Sequence, residues 1–156
     1  MAAADRPSDV PGHGRLQMGP RFDMTVAADP VVLVAVRQRL RSWLAGLGWP
    51  DEHAEDIVLA VNEAVTNAIE HAHPEVAAVE IDIAGCAVAG RDGARAIVRV
   101  ADHGRWRPAP VGQRYRGHGV GVMHGCMDRV EFQPSTAGTT VVLTSTAITP
   151  PPSAPN

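Results

Sequence analysis

The stretch NEAVTNAIEHAH, residues 62–73, combines an apolar helical pattern with two polar side chains placed four residues apart. Acidic residues just before it and Pro74 just after it predict a helix over roughly 51–72, because acids suit a helix N-terminus and proline disfavours helix before it. On that helix, Glu63 and Asn67 lie side by side outside the apolar arc. The arc is about 140° wide and contains Ala54, Ile57, Val58, Val61, Ala64, Val65, Ala68, Ile69 and Ala72.

Glu63 and Asn67 can act on one ligand, because residues at i and i+4 point at one spot beside a helix. An amide oxygen is a good neutral ligand for Mg²⁺, which usually also takes substrate phosphates, and a neighbouring carboxylate can order water or accept a proton. A solvated polar face would place the same residue types here, and the spacing alone does not separate the two interpretations.

A second candidate patch is VADHGRW, residues 100–106. Asp102 ends an apolar strand, and its carboxylate can accept from an exocyclic amine such as that of adenine. Gly104 permits a close backbone approach or a positive φ. An Asp-x-Gly turn at the strand end is the structural alternative.

The third patch, RGHGVGVMHG, contains Gly117, Gly119 and Gly121 at the opening of a predicted helix over 120–128. Exposed amides at a helix N-terminus form a phosphate site. A flexible helix entry is the alternative, and the GxGxG spacing excludes a dinucleotide fingerprint.

The composition is that of one globular domain: 156 residues, 45% hydrophobic and 20% charged. A net charge of −3 without an arginine cluster argues against nucleic acid as a partner. No apolar run is long enough to cross a membrane, and the N-terminus lacks the apolar segment of a secretory signal, so we expect a cytoplasmic protein.

The sequence contains no lysine, so all 14 residues counted as Lys+Arg are arginine. A P-loop and a protein-kinase-like site each need a lysine, and a Schiff base needs an amine. A phosphate site in this chain would therefore depend on glycine amides, arginine and metal.

The order of predicted elements is βααββαββ, which indicates an α+β fold with a mostly antiparallel sheet and helices on one face. Residues 20–146 are predicted to form the domain. The Pro- and Gly-rich segments 1–19 and 147–156 are predicted to be disordered.

In this order, the motifs resemble the Bergerat ATP-binding fold of the GHKL superfamily, to which gyrase and histidine-kinase catalytic domains belong. EAVTNAIEHA resembles the N-box, DHG the D-x-G box, GHGVGV the second glycine box and GTTVVL the closing strand. The sequence is most similar to the bacterial anti-sigma-factor serine/threonine kinases of the RsbW type. The resemblance implies a two-layer α/β sandwich with a mixed, mostly antiparallel sheet.

The resemblance also implies roles for individual residues. Glu63 would be the general base, Asn67 the Mg²⁺ ligand and Asp102 the acceptor for the adenine amine. Gly104 would form the turn beneath the adenine base. Gly117, Gly119 and Gly121 would wrap the phosphates, and Thr139 would support the Asp102 contact.

The implied reaction is transfer of the γ-phosphoryl group of ATP to a STAS-domain anti-anti-sigma partner, with Mg²⁺ as cofactor. The implied protein also sequesters a sigma factor and is a possible homodimer. A non-catalytic module that binds ATP or ADP and holds a partner is the alternative.

The sequence departs from the family pattern in two respects. Trp106 replaces the second glycine of D-x-G-x-G, and the lid between Trp106 and Gly117 is short. The short lid leaves Arg114 and Arg116 as candidates for a phosphate contact, and no exact family match chooses between them. We favour Arg116, and assign it a catalytic role with Glu63.

Overall fold

The structure is a computed structural model that describes residues 16–72, 79–103 and 117–149. A 3₁₀ turn, Pro30–Val32, precedes the first helix. The helices span Leu33–Gly46 (α1), Asp51–His71 (α2) and Gly117–Cys126 (α3). The strands span Leu16–Ala27 (β1), Glu80–Gly90 (β2), Gly93–Asp102 (β3), Arg129–Ser135 (β4) and Gly138–Thr144 (β5).

The five strands form one sheet in the order β1-β2-β3-β5-β4, and each neighbouring pair of these strands is antiparallel. Alternate residues of the central strands are buried on the face that packs against the helices. This confirms the predicted α+β architecture and its single helical layer. No helix in the described ranges is long and apolar enough to cross a bilayer.

Helix α2 lies at the centre of the helical layer. Its contacts extend to α1, α3, β3 and β5. The predicted arc is buried except for Ile69, which is partly buried against the core. Ala60, which is not part of the predicted arc, is also fully buried. It shares a face with Glu63 and Asn67 at spacings of i, i+3 and i+7, and this is the face toward α3.

Helix α1 joins the core through Val36, Leu40, Trp43 and Leu44, at spacings typical of one helical face. The Trp43 indole packs over Gly85, where an added Cβ would lie 3.1 Å from Cη2. Its Nε1 donates to the Pro20 carbonyl at 2.9 Å. A small residue in β2 therefore makes room for the largest side chain of α1.

Three boundaries differ from the sequence predictions. β1 begins at Leu16, because the strand continues past a bulge between Met18 and Phe22. Ile148 is buried and exchanges main-chain hydrogen bonds with Ala94, so pairing extends beyond residue 146. α3 begins at Gly117 instead of Val120, which places the glycine-rich motif inside the helix.

Gly138 provides a test of how tightly the end of the sheet is packed. Its φ is +136°, and a Cβ there would overlap the Asp102 carbonyl oxygen. We expect Gly138→Ala to lower the free energy of unfolding by about 2 kcal/mol or more, measured by urea denaturation. Gly125→Ala is the matched control, since a Cβ at Gly125 meets no described atom within 4 Å. An equally stable Gly138→Ala variant would show that this contact does not constrain the fold.

Candidate nucleotide-binding site

Glu63, Asn67 and Gly119 come together where α3 crosses α2. A Cβ built on Gly119 would lie 3.0 Å from Oε2 of Glu63 and 3.4 Å from Oδ1 of Asn67. The polar pair therefore does not simply face solvent. It lies against the first turn of a second helix, and both side chains are half-buried.

The two helices run antiparallel along this face. Asn67, Ala60 and Asp56 follow one face of α2 from its C-terminal half toward its N-terminus. Gly119, near the start of α3, lies beside Asn67, and Cys126, at the end of α3, lies near Asp56. Burial raises the pKa of the Cys126 thiol, and the nearby Asp56 carboxylate raises it further. Val120 and Met123 of α3 pack into the core, so the position of its first turn is fixed by apolar contacts.

The start of α3 is chemically suited to an anion. The first amides of a helix have no partner within it, and the helix dipole places positive potential at that end. Gly117 and Gly119 both belong to this first turn. Gly119 also leaves no side chain between this turn and the Glu63 and Asn67 oxygens.

Gly121 is placed differently from the other two glycines. It lies on the exposed side of α3, and an added Cβ there meets no described atom within 4 Å. Its predicted phosphate contact has no steric support of the kind found at Gly119.

Asp102 and Thr139 form the second part of the site, at the ends of neighbouring strands. The Thr139 main-chain N–H donates to Oδ1 of Asp102 at 3.3 Å. Both residues continue the inner face of the sheet beyond Val100 and Val141, the face on which α2 packs. The two polar groups thus lie on one side of the sheet.

These donors fit a magnesium nucleotide. Carboxylate and amide oxygens are ligands that Mg²⁺ accepts, with phosphates and water completing its coordination. Within residues 16–72, 79–103 and 117–149, no group of three His, Cys, Asp or Glu side chains is arranged to hold a metal. Gly104, Trp106, Arg114 and Arg116 lie outside the described residues.

Sequence reasoning missed two contacts beside Asp102. Gly138 abuts the main chain of Asp102 and His103, since a Cβ built on Gly138 would lie 3.0 Å from the His103 Cα. Across the sheet, Nε2 of His103 lies 2.8 Å from Oδ2 of Asp82. Strand alternation predicts that the His103 and Asp102 side chains lie on opposite faces of the sheet. The contact of His103 with Asp82 could not be predicted, because it depends on the register between β2 and β3.

The matches among solved structures include proteins from two bacteria. One contains the RsbU and RsbW domains of Rv1364c from Mycobacterium tuberculosis, with 26% identity, a TM-score of 0.62, and coverage of 81% of this chain and 32% of that one. The other is the histidine kinase domain of a blue-light activated histidine kinase from Erythrobacter litoralis, with 20% identity, a TM-score of 0.47, and coverage of 73% and 60%. The chain thus spans less than two thirds of either protein chain.

The family comparison covers most of the domain. The model of the histidine kinase-like ATPase domain matches residues 26–145, from the end of β1 to just beyond β5. This range includes the α2–α3 contact and the Asp102–Thr139 pair. The chain belongs to the histidine kinase-like ATPase domain family.

Proposed function

We propose that this chain is a cytoplasmic, ATP- and Mg²⁺-dependent serine/threonine kinase that phosphorylates a STAS-domain anti-anti-sigma partner and sequesters a sigma factor. The observation that carries the proposal is the approach of Gly119 to the Glu63 and Asn67 oxygens. Membership of an ATPase-domain family and the likeness to a structure containing an RsbW domain support it.

Glu63 is the proposed general base. During transfer, the partner's hydroxyl oxygen forms a bond to the γ-phosphorus while the bond from that phosphorus to the β–γ bridging oxygen breaks. ADP leaves with the electron pair of the broken bond, and the hydroxyl proton passes to Glu63. A carboxylate within reach of the hydroxyl suits this role, since general bases of this kind contribute about 10²- to 10⁴-fold in rate.

Asn67 would hold the cation through Oδ1, and bound Mg²⁺ supplies neutralisation of phosphate charge. The Gly117 and Gly119 amides would bind phosphate oxygens at the start of α3. We keep Gly121 and Arg116 as further proposed phosphate contacts. With no lysine in the chain, these groups would supply the electrostatic part of catalysis.

Asp102 is the proposed residue that recognises adenine. Its carboxylate would accept a hydrogen bond from the adenine amine, while the Thr139 N–H keeps one carboxylate oxygen in place. Gly104 is the proposed turn beneath the base. Homodimerisation remains a prediction from the family resemblance.

The proposed base can be tested by Glu63→Gln, which removes the charge and preserves the shape. With γ-labelled ATP and purified STAS-domain proteins from the same genome, we expect labelling to be slower by about 100-fold or more. Calorimetry should show that the variant still binds ADP, because it keeps every proposed contact to the adenine ring.

Glu52→Gln is the matched control for that experiment. It removes the same charge from an exposed site in the first turn of α2, eleven residues from Glu63. Labelling should be unchanged. A wild-type chain that binds ATP yet labels no STAS protein would contradict phosphoryl transfer and support the non-catalytic module.

The proposed metal ligand can be tested separately by Asn67→Ala. We expect Mg²⁺ to strengthen ADP binding by the wild-type chain and to have little effect on the variant, because the amide oxygen is lost. Calorimetric titrations with and without Mg²⁺ measure the difference.

Asn62→Ala provides a control on the same helix. Its Oδ1 already accepts from Nη1 of Arg37 at 2.9 Å, on the side of α2 that faces α1. The effect of Mg²⁺ on ADP binding by Asn62→Ala should match its effect on the wild-type chain. If Asn67→Ala also keeps full Mg²⁺ dependence, Asn67 is not the ligand.

A further inference from the structure

The outer face of the sheet, opposite the helices, carries a hydrogen-bonded network that joins three strands. Oγ1 of Thr25 in β1 donates to Oδ1 of Asp82 in β2 at 2.7 Å. Nε2 of His103, just after β3, lies 2.8 Å from the other carboxylate oxygen of Asp82. Because Asp82 pairs with both Thr25 and Ala101, the network lies in adjacent rows of the sheet.

This network lies directly behind the site. His103 and Asp102 are consecutive in an extended segment, so their side chains leave the main chain on opposite faces. On the inner face, Asp102 accepts from the Thr139 N–H at 3.3 Å. On the outer face, His103 contacts Asp82.

The main chain between these two side chains is also confined. A Cβ built on Gly138 would lie 3.0 Å from the His103 Cα and would overlap the Asp102 carbonyl oxygen. Residues 102 and 103 are therefore bounded by β5 on one side and tied to β2 on the other. A rotation of this segment would move the Asp102 carboxylate and the His103 ring together.

The Asp82 carboxylate at the centre of the network is negatively charged at neutral pH. The His103 hydrogen bond is the largest cause of a lowered pKa for Asp82, and the Thr25 hydrogen bond lowers that pKa further. Asp82 is therefore ionised when it meets His103. The side chains of His103 and Asp82 are 58% and 48% exposed, so the pair adds little to global stability.

We propose that His103 is a positioning residue for base recognition: its contact with Asp82 fixes the main chain that directs the Asp102 carboxylate toward the exocyclic amine of adenine. Asp82 and Thr25 complete this network without touching the nucleotide. The inference rests on the proposed function, in which Asp102 accepts from that amine.

The test compares ADP with inosine diphosphate, which carries a carbonyl where adenine carries the amine. Calorimetry with Mg²⁺ on the full chain should show that wild type prefers ADP, since Asp102 cannot accept from a carbonyl. His103→Ala should bind ADP about two- to fivefold more weakly, the range expected when one exposed ion pair is lost. Its affinity for inosine diphosphate should be unchanged, so the preference shrinks.

Four further variants separate positioning from a general structural effect. Asp82→Ala should reduce the preference for ADP over inosine diphosphate as much as His103→Ala does. The double variant His103→Ala/Asp82→Ala should lose no more of this preference than either single variant. His103→Gln, whose amide N–H can donate to Asp82, should recover much of the preference. Asp128→Ala is the control, because it removes an acid that pairs with Arg95 at 2.6 Å near the other end of β3.

The outcomes distinguish this inference from the proposed function. Equal weakening of both nucleotides, or an unchanged preference in His103→Ala, overturns the positioning role and leaves the kinase proposal intact. A wild-type chain that binds neither nucleotide overturns both. Should His103→Ala fail to fold, Asp82→Ala and Thr25→Val provide the same comparison, with thermal unfolding as the check on each.

Discussion

The packing of α3 against α2 is the contact on which the candidate site depends. Gly119 allows the two helices to approach until its Cα position is close to the Glu63 and Asn67 oxygens. Ala60 on the same face of α2 is fully buried, and Met123 of α3 lies in the core. Apolar packing and the arrangement of the polar groups thus meet in one helix contact.

The parts that could be predicted from sequence are those set by local chemistry. Acids at its start and a proline after its end define α2, and the period of its apolar residues identifies the face on the sheet. The pairing of β2 with β3 follows from alternation and a two-residue turn between Gly90 and Gly93. The i, i+4 spacing of Glu63 and Asn67 likewise needs only the helix to be correct.

The parts that could not be predicted depend on partners distant in sequence. Glycines favour a loop, yet α3 includes Gly117 because Val120 and Met123 anchor the helix to the core. Ile148 lies next to a proline-rich tail, yet it pairs with Ala94. His103 finds Asp82 only through the β2–β3 register, which places residues 21 positions apart side by side.

The antiparallel order of the sheet has a consequence for the synthesis of the protein. Asp102 leaves the ribosome well before Thr139, and the final hairpin must pair with β3 before the Thr139 N–H reaches the Asp102 carboxylate. Contacts between residues so far apart in sequence form late, because the intervening chain must first lose its freedom. A nascent chain can therefore assemble β1, α1, α2, β2 and β3 before β5 has left the ribosome, and the contact between Asp102 and Thr139 forms only after that strand is made.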